Sequence, residues 1–198
     1  MWQSTQFAER LGLAAPIVQG PFGSGLSAVE LVVAVSEAGG LGSFGVHHLD
    51  RAGIAHVAAS IRSRTQRSFA LNLWIPHENS ETPPIGVDQF ARAVTRLEPY
   101  FEELGVALPQ QPARFCPPFE EQVEAVLEAQ PAVFSFVYGI PDRAVLARCR
   151  ELGIVTVGTA TTPDEPLRSN VLASMRSSLR ASKPVVIALR FCKPRSTA

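Results

Sequence analysis

Five short segments carry the residue types that suit ligand chemistry. They are Gly20-Pro21-Phe22-Gly23, Gly42-Ser43-Phe44-Gly45, Asn72 with Trp74 and Pro76, Tyr138-Gly139-Ile140-Pro141, and Gly158-Thr159-Ala160-Thr161. Glycine lets a backbone approach a ligand closely, and an asparagine amide both donates and accepts hydrogen bonds. The threonine hydroxyls add two further polar contacts, and the aromatic rings add flat apolar faces. These segments hold no carboxylate pair for acid–base work, no metal-ligand spacing and no Ser/His/Asp order. Together they suit a flat, neutral, hydrogen-bonding ring better than a charged substrate.

Each segment follows a short apolar run, and the runs alternate with amphipathic helices. Residues 16–20 read as a first buried strand entering a Gly/Pro-rich turn. Ser27 is placed to cap a helix, with Glu30 completing a capping box, and Leu31, Ala34, Val35 and Ala38 form its apolar face. Gly39 and Gly40 stop that helix, so these glycines and Gly42 read as a helix stop and tight turn rather than as phosphate ligands. Residues 41–44 are a second strand, Asp50 caps a helix bearing Ile54, Val57, Ala58 and Ile61, and Phe69–Trp74 is a third strand. A helix over Phe119–Ala129, a strand over 132–137, a helix over 143–152 and a strand over 154–158 continue the rhythm. Apolar strands without alternation are those of a parallel sheet covered on both faces, and strand–helix alternation makes the class α/β. Five strands precede residue 165, in either an eightfold barrel or a doubly wound sheet. In both, ligands sit beyond the carboxyl ends of the strands, where the five segments fall.

Residues 77–118 interrupt the pattern with six prolines before Pro118 and one helix over Val87–Leu104. They read as an excursion or lid, because a long loop in a compact domain is usually functional.

The 198 residues are 46% hydrophobic and 18% charged, which fits a folded domain with a real core and excludes a disordered chain. Eighteen basic residues balance eighteen acidic ones, so no electrostatic footprint for nucleic acid exists. The longest apolar run, 28–38, is interrupted by Glu30, Ser36 and Glu37, and the first ten residues lack a secretory layout; no membrane span or leader is expected. Cys116, Cys149 and Cys192 are odd in number and far apart, so a reducing cytoplasm is the expected compartment and no metal is expected. Of the histidines, His47 and His48 follow the second strand and could reach the rim, although solvated loop histidines are commoner, and His56 and His77 have no visible partner. Cys149 reads as helix packing.

Five motifs in order carry a family resemblance: PIVQGPF over 16–22, VSEAGGLGSFG over 35–45, FALNLWIP over 69–76, SFVYGIP over 135–141 and TVGTATTPDE over 156–165. In these the chain resembles the nitronate monooxygenases, across roughly residues 14–165. The resemblance implies a TIM (β/α)8 barrel, here incomplete with about five βα units. It also implies non-covalent FMN and the oxidation of alkyl nitronates by O2 to a carbonyl compound and nitrite. Carried over by position, Gly20, Pro21 and Phe22 match the first-strand motif beside the flavin, with Phe22 where the family usually has Met. Asn72 matches the third-strand asparagine that hydrogen-bonds FMN; without the resemblance it would read as a satisfied strand-end polar group. Thr159 and Thr161 follow the fifth strand near the expected site. A flavin-dependent enoyl-acyl-carrier-protein reductase-like barrel shares the early glycine motifs, and a non-catalytic remnant is the reading outside enzymes.

The resemblance ends where the charge changes. Up to Glu165 there are eleven arginines and eighteen acids; residues 166–198 hold seven basic residues, including both lysines, and no acid. The family motif there resembles EAGGH, with glycines for the FMN phosphate and a histidine base, whereas this chain reads RASKPVVIALRF and offers no catalytic residue in its place. Codons for Lys183-Pro184-Val185-Val186-Ile187-Ala188, read one base earlier, admit Glu-Ala-Gly-Gly-His-Arg. Residues 166–198 are therefore expected to be a basic tail translated out of the family frame, leaving 1–165 as a partial FMN-binding barrel; the ordinary alternative is a genuine basic tail with Pro184 to Leu189 as a strand. A partial barrel exposes an edge strand and apolar helix faces, so a homodimer or aggregation through that edge is expected.

Overall fold

The computed structural model describes residues 5–22, 26–76, 85–112 and 114–159. Two compact units separate, one holding residues up to Pro76 together with those from Pro117 onward, the other His77–Cys116. Thr161 and the tail 166–198 lie outside the described residues.

The first unit is built on four parallel strands, β1 (Gly42–Gly45), β2 (Phe69–Trp74), β3 (Val133–Val137) and β4 (Val155–Gly158), in spatial order β1-β2-β3-β4. Parallel neighbours need crossovers. α3 (Arg51–Arg62) links β1 to β2, and α6 (Arg143–Glu151) links β3 to β4. α5 (Phe119–Ala129) precedes β3. α1 (Gln6–Leu11) and α2 (Val29–Glu37) precede the sheet.

Alternation along each strand separates two cores. Phe44, Leu71, Leu73, Phe134 and Phe136 face the helices, meeting Val32 of α2, Ile54 and Ile61 of α3, Val126 of α5 and Cys149 of α6. On the other face Leu41, Ala70, Val133 and Val155 pack against Phe7 and Leu11 of α1. Burying each such large side chain contributes about 1.5–3 kcal/mol. α1 was not expected from the sequence. Its six residues are too few to show a period, but Thr5 caps it by accepting from the Ala8 amide at 3.1 Å, and Gly12 ends it at φ +66°.

The expected first strand is reduced to one bridge, Val18 to Leu41, within an extended segment whose Ile17 and Val18 remain exposed. Pro16 contributes no N–H, and among the described residues no strand pairs with its outer side. The α2 expectation also shifts. Ala28 is the N-cap, with no side-chain bond, while Ser27 is buried and accepts from Gln19, and Glu30 pairs with Arg64. Val32 and Ser36 are the buried residues, whereas Leu31, Ala34 and Ala38 are exposed. The packing of α2 on β1 causes the rotation: a Cβ on Gly42 would lie 2.2 Å from the Val32 carbonyl oxygen, so only a glycine permits this approach. Gly39, at φ +87°, ends the helix in the left-handed region, as a helix stop should.

The Asp50 cap forms as expected, its Oδ1 accepting from the Gly53 amide at 2.8 Å. Arg62 caps the far end of α5, donating to the carbonyl oxygens of Ala129 and Gln130, the latter at 2.8 Å, with its guanidinium over the Phe69 ring.

The second unit contains α4 (Val87–Leu104), which coincides with the expected helix despite Pro99 inside it. None of its side chains is buried; Phe90 and Phe115 meet at 6.1 Å, and the Gln111 amide donates to the Ile85 carbonyl at 2.9 Å.

Cys149 is fully buried against the sheet, and burial pushes its thiol up to about 11. Cys116 is exposed. Iodoacetamide at about pH 8 should therefore label Cys116 and spare Cys149 until denaturant is added, as peptide mapping will report. Labelling of native Cys149 at the rate of Cys116 would contradict the packing of α6.

Candidate functional site

The strands end together at one rim, and the register fixes what each contributes. Gly45, Asn72 and Ser135 are partners across β1, β2 and β3, with Val157 next on β4. This row belongs to the face opposite the helices and sits one step beyond the apolar floor made with α1. Asn72 is 2% exposed, and its Nδ2 donates to Ser135 Oγ at 3.0 Å, which fixes the direction of the amide. Gly45 places no side chain beside it.

Two residues further along the same face stand Trp74 and Val137, which are partners, and Thr159, whose amide donates to the Phe136 carbonyl at 3.2 Å. Here the strand ends become aromatic. His47 stacks on Trp74 with centroids 3.7 Å apart and planes 7° from parallel. Tyr138 meets the edge of Trp74 at 5.3 Å and 86°, and His48 meets His47 edge-on at 5.3 Å. Tyr138 has φ +68°, a left-handed conformation that a bulky residue rarely adopts and that is found most often at functional positions.

Two glutamines tie the neighbouring loops down. Gln122 of α5 is buried, and its Nε2 lies 2.9 Å from the His47 carbonyl oxygen, 2.8 Å from that of Leu49 and 3.4 Å from that of Val46. Gln19 accepts from the Ser43 amide at 3.2 Å through Oε1, while its Nε2 faces the Gly20 carbonyl at 3.2 Å and Ser27 Oγ at 3.4 Å. The segment from Gly20 is thus held to β1. Phe22 is exposed and folds its ring over Gly20: a Cβ there would lie 3.0 Å from Phe22 Cε2. Gly20 and Pro21 are half-buried.

Of the two sequence readings of His47, the commoner one of a solvated loop residue gives way to a place at the rim, stacked on Trp74. Its Nδ1 is buried without a hydrogen-bond partner, and desolvation, with the neighbouring His48, holds its pKa below the ordinary 6.5. Neither glutamine was singled out in the sequence, since a glutamine on an amphipathic helix or after a strand looks like a solvated residue. The Gln19 that opens the PIVQGPF turn was the nearer of the two to a signal.

Acidification tests the state of His47. With its native pKa below 6.5, the unfolded chain takes up the proton first as pH falls. Stability from this residue is therefore fully present above about pH 6.5 and is lost as pH falls through the native value. Between about pH 8 and about pH 5, His47→Phe should lose less stability than the parent in urea titrations. An identical acid response of the two proteins would contradict the burial of Nδ1.

A parallel sheet with its helix crossovers and a rim of loops at the strand ends makes this an α/β protein, a class in which ligands commonly sit at that rim. The sequence model for nitronate monooxygenase matches residues 5–170, so the chain belongs to the nitronate monooxygenase family. A probable nitronate monooxygenase of Staphylococcus aureus is 28% identical over 167 residues, 84% of this chain and 46% of its own length. That of Staphylococcus haemolyticus is equally similar over 45% of its length. Among solved structures, a nitroalkane oxidase from Streptomyces ansochromogenes superposes with TM-score 0.66 at 28% identity, over 93% of this chain and 48% of that one. FabK from Thermotoga maritima, with TM-score 0.58 at 20% identity over 93% of this chain and 43% of that one, shares the fold. The chain spans just under half the length of the curated relatives it matches. Among the described residues no helix is long and apolar enough to cross a membrane, and no three His, Cys, Asp or Glu side chains gather to hold a metal.

Proposed function

We propose that this chain is the ring-binding part of an FMN-dependent nitronate monooxygenase, acting on small alkyl nitronates and O2. The observation that carries the reading is the row Gly45–Asn72–Ser135, a small-residue polar shelf between an apolar floor and an aromatic rim, in a chain matched to the family over residues 5–170. The residues fit the ring of a flavin. Gly45 adds no side chain to the shelf, Asn72 is buried and oriented, and Phe22, folded over Gly20, offers an exposed apolar face. Gly20, Pro21, Thr159 and Thr161 are proposed with them from the resemblance. FMN would supply the redox chemistry that no side chain here can. The chain's own residues bind and orient: the floor excludes water below the shelf, and the amide of Asn72 is held for an acceptor or donor on the ring edge.

The match to the family ends at residue 170, close after the last acid, which supports reading 166–198 as an out-of-frame tail. With the family's histidine without a counterpart in that stretch, turnover is expected to be low. Sequencing the coding DNA should show the family frame one base away downstream of codon 165; its absence would refute that part. The exposed Ile17, Val18 and Leu31 support self-association at the β1 edge of the sheet.

The test is to add FMN to the purified protein and follow nitronate-dependent oxygen uptake beside oxidation of a reduced nicotinamide by an enoyl thioester. Flavin binding with oxygen uptake supports the reading. Nicotinamide oxidation alone would favour a reductase, and no flavin binding at all would favour a non-catalytic remnant.

A further inference from the structure

The aromatic rim contains a polar contact that the flavin reading leaves unused. The His47 ring is fixed on three sides: stacked on Trp74 at 3.7 Å, edge-on to His48, and carried by a backbone whose carbonyl is gripped by Gln122 at 2.9 Å. The ring as a whole is half-buried, and Nδ1 is its buried, unpartnered nitrogen. A ligand can be met only through the ring nitrogen that is not shut in, so a donor role for this ring requires the Nε2–H tautomer.

The rim segments 42–48, 72–76 and 138–141 contain no Arg or Lys. An anionic ligand arriving there is therefore met by neutral donors. For a nitronate this is chemically apt: an imidazolium would protonate it toward the nitroalkane, whereas a neutral N–H binds its oxygens and leaves the anion intact. We propose that His47, locked between Trp74 and the Gln122-held loop, is the hydrogen-bond donor that receives the planar oxyanion of the substrate. This rests on the nitronate reading above and adds the residue that selects that substrate class. Gln122 is a positioning residue that acts through the His47 backbone.

The probe is isobutyrate, a carboxylate with the branched skeleton of propyl-2-nitronate on a tetrahedral carbon and the same planar two-oxygen head, titrated into the full chain in a Trp2→Phe background so that Trp74 alone reports by fluorescence. His47→Phe keeps the stack and removes the donor, and should weaken isobutyrate about tenfold or more. His47→Gln restores a donor and should recover to within about threefold of the parent. Nitrogen-15 NMR of the parent's imidazole should show Nε2 protonated and Nδ1 bare. Unchanged affinity in His47→Phe, no binding by the parent, or a proton on Nδ1 would each overturn the proposal. FMN titrated in parallel keeps the two readings apart. Parental flavin binding with lost isobutyrate binding in His47→Phe supports both, whereas His47-dependent isobutyrate binding without flavin binding defeats only the flavin reading.

Discussion

Gly42→Ala should destabilise the first unit by about 3 kcal/mol or more, the upper end of what overpacking costs. The new methyl would sit 2.2 Å from the Val32 carbonyl oxygen and 2.8 Å from Ser36 Oγ, so backbone rather than a flexible side chain must give way. Ser36 Oγ accepts from the Gly42 amide at 3.3 Å and donates to the Ser68 carbonyl at 3.0 Å, so displacing α2 also breaks the link between β1 and the residue preceding β2. A urea midpoint indistinguishable from the parent's would mean that α2 does not pack on β1 as described.

Gln122→Leu should cost a similar amount, about 3 kcal/mol, although it adds apolar surface to an apolar helix. Three carbonyl oxygens, those of Val46, His47 and Leu49, share the one amide. A buried acceptor that loses its donor costs about 1–3 kcal/mol. The substitution should also weaken the aromatic near-ultraviolet circular dichroism of the His47–Trp74–Tyr138 cluster, because the loop that presents His47 is no longer held. Gln122→Glu should be at least as damaging, since a carboxylate would face carbonyl oxygens and donate nothing. A stable Gln122→Leu protein with an unchanged aromatic signal would show that the loop is held by other means.

The elements legible in the sequence were those whose own residues decide them. The Phe69–Trp74 strand and the Val87–Leu104 and Phe119–Ala129 helices have the bounds expected from hydrophobic period and length. The elements missed or shifted depend on neighbours far along the chain. α1 is fixed by packing on Leu41 and Ala70, and Ser27 is drawn from the capping position into a bond with Gln19. The buried face of α2 is selected by the absent side chain of Gly42 rather than by its own apolar stripe.

The site divides in the same way. Asn72 was picked out by its match to the family's third-strand asparagine; local sequence alone gives a satisfied strand-end polar group, and in the fold its Nδ2 does donate to Ser135 Oγ. Gln122 could not, because its role is defined by the Val46, His47 and Leu49 carbonyls that only the folded loop turns toward it. His47 looked solvated for a related reason: its stacking partner Trp74 arrives from the next strand.

The central claim is that the strand-end shelf around Asn72 holds a flavin by its ring. Titrating FMN and riboflavin separately into the purified chain, and reading the shift of the flavin absorbance band, tests it directly. Saturable binding of both with similar affinity, weakened together by Asn72→Leu, is the predicted result, because the contacts proposed here touch the ring and none touches the phosphate. Binding of neither flavin, or binding that Asn72→Leu leaves unchanged, would contradict the account.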